Sequence, residues 1–205
     1  MKVKIKAIVF DMGGVLLGTS DFAPREKLAK HYQIPRKKLE YLIFFSDMGK
    51  KAEVGNVTQE QLFEYVLKEL GDTKRNWLDF VEEFFSGDTV NHEMVKFAAY
   101  FKPRFRLGMF SNAFTGAREW LSKKFDFFDI FDQTIFSYEI KARKPHPEAY
   151  AILCARMDTK PQETVFIDDF YENVVGAREF GIHAIHFIDK QHVISELKDV
   201  LFEKN

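Results

Sequence analysis

The sequence predicts an α/β protein built on a doubly wound parallel sheet, with a block of helices inserted soon after the first strand. Three observations carry this: short continuous apolar runs that end in polar residues, helical segments between them in the C-terminal half, and a helix-periodic stretch from about residue 21 to 101. The runs Ala7–Phe10, Leu107–Phe110, Val165–Ile167 and Ala184–Phe187 are too continuous for strands with one wet face, so they read as strands covered on both sides. Gln133–Phe136 is a fifth candidate. Helical segments at Thr115–Lys124, Pro147–Met157 and Glu172–Phe180 alternate with these runs, which is the pattern of right-handed βαβ crossovers.

The middle stretch shows helical periodicity at Phe22–Tyr32, Arg36–Ser46, Thr58–Leu70, Arg75–Phe85 and His92–Phe101, with no convincing strand. Thr58 and Gln61 have the spacing of a capping box, and Gly71 stands where a helix would stop. The expected division is therefore a core of residues 1–18 and 99–205 and a helical cap of residues 19–98.

A chain of 205 residues suits one α/β domain with a modest insertion. Its formal charge of -1 gives no global field to draw it to nucleic acid or an anionic membrane, so a small-molecule partner is expected. The single cysteine, Cys154, lies in a helical apolar stretch and has no internal partner, which fits core packing and a reducing, cytoplasmic setting. The lysines of MKVKIKAIVFD resemble the start of a signal peptide, but the apolar run stops at Asp11 and no small-residue cleavage pattern follows. The phenylalanine pairs Phe44-Phe45, Phe84-Phe85 and Phe127-Phe128 read first as core packing, with a substrate-facing or dimer-facing surface as the alternative. The oligomeric state, monomer or homodimer, is left open.

Ligands of open parallel sheets bind beyond the carboxyl ends of the strands, and here those ends are polar: Asp11 in FDMGGV, Ser111 and Asn112 in MFSNA, Asp168 and Asp169 in VFIDDF. Lys144 precedes a helix leading towards the last of these. Three carboxylates at neighbouring strand ends repel one another unless a cation joins them, and their hard oxygens suit Mg²⁺. The hydroxyl, amide and lysine supply donors for an anion, which phosphate fits. Gly13 and Gly14 would let the backbone turn sharply beside a ligand.

Together these motifs resemble the haloacid dehalogenase-like hydrolase superfamily, in the branch with a helical cap inserted after the first motif; the likeness covers VFDMGGV, the SN of MFSNA, Lys144 in RKPHPEAY and FIDDFYENVVGAREFG. The resemblance implies a Rossmann-like core and a Mg²⁺-dependent phosphatase acting on a small phosphorylated metabolite, such as a sugar phosphate or nucleotide. It makes Asp11 the nucleophile that forms an aspartyl-phosphate, with Lys144 offsetting charge beside it. It assigns phosphate binding to Ser111, Asn112 and Lys144. The metal shell it implies is Asp11, the backbone carbonyl of Gly13, and Asp168 or Asp169, one of which instead holds a water or pairs with Lys144. Asn173 would cap or brace the fourth-motif loop, and Gly176 would allow close packing against the sheet.

The sequence departs from that pattern at Gly13, where such phosphatases usually carry a second aspartate that protonates the leaving oxygen. General acid-base catalysis is worth roughly 10² to 10⁴-fold, so its loss matters. Three explanations remain open: Asp21, Asp47 or Glu53 reaches in; the substrate has a good leaving group; or the protein binds phosphate compounds with little turnover. Dehalogenation needs no second aspartate, but the dehalogenases of the family work without metal and lack a pair like Asp168-Asp169. His146, His183 and His186 read as structural, since none has a metal-ligand spacing.

Overall fold

A computed structural model describes residues 4–202, so the outermost residues of the expected core segments, 1–3 and 203–205, lie outside it. Strand β1 (Ala7–Phe10) is fully buried, and because strand side chains alternate, Ala7 and Val9 enter one hydrophobic layer while Ile8 and Phe10 enter the other. A sharp turn through Gly13 and Gly14 leads to β2 (Leu17–Thr19), and the chain then leaves the core.

Five helices follow. α1 (Ala23–His31) starts with Pro24 in its first turn, where the missing N–H costs nothing. The helix expected over Arg36–Ser46 divides: α2 (Arg36–Glu40) passes into a π-helical turn, Tyr41–Phe45, and Ser46 ends it. The Ser46 hydroxyl then accepts from the Gly49 amide at 3.0 Å and starts α3 (Asp47–Glu53), a helix the periodicity did not announce. Gly49 makes the close turn feasible, since a Cβ there would lie 2.3 Å from the Ile43 carbonyl oxygen. α4 (Gln59–Glu69) carries both halves of the expected capping box between Thr58 and Gln61, and Gly71 follows it at a φ of 75°. α5 (Trp77–Phe84) is capped by Asn76. These helices bury a cluster of their own, centred on Leu28, Leu62, Phe63, Val66, Phe80 and Phe84.

The chain returns through β3 (Asp88–Val90), which pairs antiparallel with β2 from Leu17 opposite Val90 to Thr19 opposite Asp88. This strand lies where no strand was expected, because three residues are too short to show a period and only the partner defines them. α6 (His92–Phe101) buries Met94 and Ala98 in the hydrophobic layer that also holds Ile8, Phe10 and Leu107.

The rest alternates between strand and helix: β4 (Arg106–Ser111), α7 (Ala117–Lys124), β5 (Gln133–Phe136), the short α8 (Ser137–Ile140), α9 (Pro147–Met157), β6 (Thr164–Asp168), α10 (Tyr171–Glu179), β7 (His183–His186) and α11 (Lys190–Phe202), of which α8 and α11 were not expected. The sheet has the order β5-β4-β1-β6-β7 and every pair is parallel. α6, α7 and α11 cover one face, and α9 and α10 the other. The predicted strands and core helices differ from these only at their ends. Cys154 is buried in the α9 layer, as its apolar surroundings implied.

Candidate active site

The sheet changes direction at its centre: β4 and β5 build outwards on one side of β1, β6 and β7 on the other, and the crevice opens where the carboxyl ends of β4, β1 and β6 meet. Asp11 directly follows β1 and is pinned there by its amide, which donates to the Ile167 carbonyl at 2.7 Å. Ser111 ends β4 and Asp168 ends β6. Asp11, Asp168 and Asp169 each offer an oxygen within 4.8 Å of the others, and these oxygens could hold a metal ion.

Lys144 enters this cluster from the loop before α9. Its ammonium donates to Asp11 Oδ1 at 2.7 Å, to Asp168 Oδ2 at 2.6 Å and to the Phe110 carbonyl at 2.9 Å, while only 1% of the residue is exposed. Burial alone would lower its pKa, but Asp11 and Asp168 outweigh burial and hold it above its ordinary value. Asp11 moves up instead: burial raises it, Lys144 opposes that, and Asp168 and Asp169 add to the rise. Asp169 is pushed up to about 6 by burial and by Asp168, against Lys144. Three carboxylates around one ammonium leave a formal charge of 1 − 3 = −2, with Asp11 and Asp168 buried and Asp169 facing solvent. A divalent cation would cancel it.

Side chains distant in sequence hold Lys144 in place. The Asn112 carboxamide donates to the Lys144 carbonyl and accepts from the Lys144 amide, both at 3.0 Å, so its polar atoms meet the lysine backbone. Asn173 donates to both oxygens of Asp168 at 3.1 Å, and the Phe170 amide donates to Asp168 Oδ1 at 2.8 Å; this is the bracing expected of Asn173. With Lys144 included, both Asp168 oxygens are engaged. Among the described residues no cation pairs with Asp169, and Gly14 passes so close that a Cβ on it would fall 1.9 Å from Asp169 Oδ2. Gly176 does serve close packing, but against Pro145 rather than the sheet: a Cβ would lie 2.7 Å from the Pro145 carbonyl oxygen. It thereby seats the lysine loop on α10.

A cavity of about 450 Å³ opens from Gly13, Ser111, Asn112 and Asp169 towards the inserted helices. The Ser111 hydroxyl at its floor donates to the Asn112 carbonyl at 3.2 Å. Of the three carboxylates considered as substitutes at Gly13, only Glu53 lines this cavity. Asp21 is exposed and caps the start of α1, and Asp47 is exposed on α3. Glu53 is buried and forms an ion pair with Arg143, next to Lys144; burial raises its pKa while Arg143 opposes the rise. Arg143 carried no signal in the sequence, because its partner lies 90 residues away. His146 is exposed at the start of α9, and His186 meets the Asp169 carbonyl at 3.0 Å.

A carboxylate cluster, a buried lysine and a serine thus meet at the switch point of a doubly wound sheet. The chain belongs to the haloacid dehalogenase-like hydrolases, whose family model matches residues 5–181. It is 25% identical to (S)-2-haloacid dehalogenase 1 of Pseudomonas sp. (strain CBS-3), over 96% of this chain and 95% of that protein. It is also 25% identical to the phosphorylated carbohydrates phosphatase of Thermotoga maritima, over 89% of this chain and 84% of that protein. Its fold resembles that of a family enzyme from Bacteroides thetaiotaomicron solved with magnesium and inorganic phosphate, with a TM-score of 0.76 and 23% identity over 92% of this chain and 98% of the other. Among the described residues no helix is long and apolar enough to cross a membrane.

Proposed function

We propose that the protein is a Mg²⁺-dependent phosphomonoester hydrolase that works through an aspartyl-phosphate on Asp11, with the helices between β2 and β3 acting as its cap. The observation that carries this reading over a dehalogenase is the cluster of Asp11, Asp168 and Asp169 around a single ammonium, whose net negative charge asks for a divalent cation. The donor set fits Mg²⁺: hard carboxylate oxygens from Asp11 and Asp169, with Asp168 beside them, to which the Gly13 carbonyl would add a further oxygen. Bound there, the ion would neutralise phosphoryl charge. Since Lys144 already occupies Asp168, Asp169 is the carboxylate left free for the metal.

Lys144 holds the Asp11 carboxylate in place and favours its ionised, nucleophilic form. A carboxylate oxygen of Asp11 forms a bond to phosphorus as the ester oxygen departs, and water then releases phosphate and restores Asp11. Ser111, on the cavity floor, supplies a hydroxyl for the phosphoryl oxygens, while Asn112 contributes by fixing Lys144. The Asp11→Asn variant should lose Mg²⁺-dependent release of phosphate from p-nitrophenyl phosphate by at least about 10⁴-fold. Full activity in that variant, or chloride release from 2-chloropropionate in place of phosphate release, would overturn the mechanism.

Gly13 favours a second reading, a phosphate-binding protein with little turnover. Turnover of a panel of phosphorylated metabolites with Mg²⁺ and with EDTA separates the two, and robust hydrolysis of any one rejects the second.

A further inference from the structure

The cavity above the phosphate site is walled by Phe44, Val81, Phe85, Phe114, Trp120 and Leu121. Charged groups also reach it: Asp169 stands at the phosphate end, and those at the aromatic end are already paired. Arg25 is held by Asp88 at 2.8 Å and Glu40 at 3.3 Å, Thr19 donates to Asp88 at 2.7 Å, and Glu53 is tied to Arg143. A sugar or nucleoside placed here would exchange water for aromatic carbon at most of its hydroxyls, which is unfavourable. A flat apolar group would lose nothing by entering and would gain edge and face contacts with the rings.

The opposite end of the same cavity shapes the leaving group. A Cβ on Gly13 would meet no atom within 4 Å, so the position from which a side chain would protonate the ester oxygen is open, and Glu53, which also lines the cavity, is tied to Arg143. An alkoxide, whose conjugate acid ionises about as reluctantly as water, needs that proton. A phenoxide, with a conjugate acid near 10 like the tyrosine side chain, can leave without it.

Resting on the phosphomonoesterase reading, we propose that the substrate is an aryl phosphate, its ring held by the aromatic wall and its phenoxide leaving unprotonated. Asp11 would donate an electron pair to phosphorus while the aryl O–P bond breaks, its electron pair going with the phenoxide, which takes a proton from solvent. Water would then attack phosphorus, lose a proton and release Asp11 with inorganic phosphate.

The test is kcat/KM of the unmodified protein with Mg²⁺ for 1-naphthyl phosphate, 2-phenylethyl phosphate, glucose 6-phosphate, adenosine monophosphate and p-nitrophenyl phosphate. The naphthyl ester is expected to exceed the phenylethyl ester by roughly 100-fold, the scale of an absent general acid, and the phenylethyl ester to exceed the two polar substrates. In Gly13→Asp the naphthyl-to-phenylethyl ratio should shrink by about 10-fold or more, as an acid becomes available to the alkoxide. Equal turnover of the naphthyl and phenylethyl esters, or faster turnover of glucose 6-phosphate or adenosine monophosphate, would overturn the aryl assignment and leave the phosphatase intact. No phosphate from any ester, p-nitrophenyl phosphate included, would overturn the underlying reading.

Discussion

At the strand ends, Asp11, Lys144 and Asp168 are at most 7% exposed and are joined by charge-assisted bonds of 2.6 and 2.7 Å; across the cavity, the inserted helices present Phe44, Val81 and Phe85, which have no polar atom to orient. The first wall is a network in which each group depends on its partners, and removing one strands the others. The second is a packed surface in which shape and area matter, and a ring can be exchanged for another apolar group at modest cost. The two also meet directly: Glu53 pairs with Arg143, Phe114 is buried among the insert's own apolar residues, and at the exposed edge Phe45 stacks on Phe170 at 5.8 Å while the Gln59 amide donates to the Thr115 hydroxyl at 2.8 Å. On the proposed function, the first wall would carry the chemistry and the second would select what reaches it.

The contrast breaks most sharply at Lys144. Lys144→Met keeps volume but leaves Asp11 and Asp168 buried without their cation, and should destabilise the metal-free protein by about 3–5 kcal/mol in urea titrations at neutral pH. A loss below about 1 kcal/mol would mean that water already reaches the cluster. Glu53→Gln should cost less, about 1–3 kcal/mol, because Arg143 loses its charged partner but keeps some solvent. Should this variant also abolish turnover while folding normally, Glu53 would belong to the chemistry of the first wall.

The pH dependence sharpens the same point. Asp169 keeps its proton up to about pH 6 in the fold, against 3.8 when unfolded, so between those values the native state binds more protons and stability falls as pH rises. Metal-free protein in EDTA should therefore lose stability from about pH 4 to 6 through Asp169 and on to about 8 through Asp11, which is raised further, and Mg²⁺ should offset the loss at the upper end. Rising stability across that window would show that the carboxylates are better solvated than their placement indicates. The smallest effect is expected at the seam: Phe45→Ala should change stability by about 1 kcal/mol, since the ring is 43% exposed and its contacts with Phe170, Tyr41 and Phe44 are peripheral.

Much of the core was legible, because an apolar run that ends in a polar residue marks both a buried strand and its functional end. Asp11, Ser111 and Asp168 fall at those ends, and Asp169 follows directly. The roles around them were less so. Asn112 looked like a phosphate donor, yet its carboxamide is closed against the backbone of a residue 32 positions on. The β2/β3 ribbon, three residues a side, was invisible for want of length. α3 was hidden because the break at Ser46 lies inside one continuous apolar period.

By itself, the sequence determined the parallel sheet, the helical insertion, the family and the carboxylates beside β1 and β6, since each is written in neighbouring residues through period, turn and motif. Only the tertiary structure decided that Lys144 bridges Asp11 and Asp168, that Glu53 meets Arg143 from 90 residues away, and that the space beside Gly13 opens onto aromatic rings. The physical reason is that local propensity acts along the chain, whereas a buried charge takes whichever partner the packed layers bring within reach.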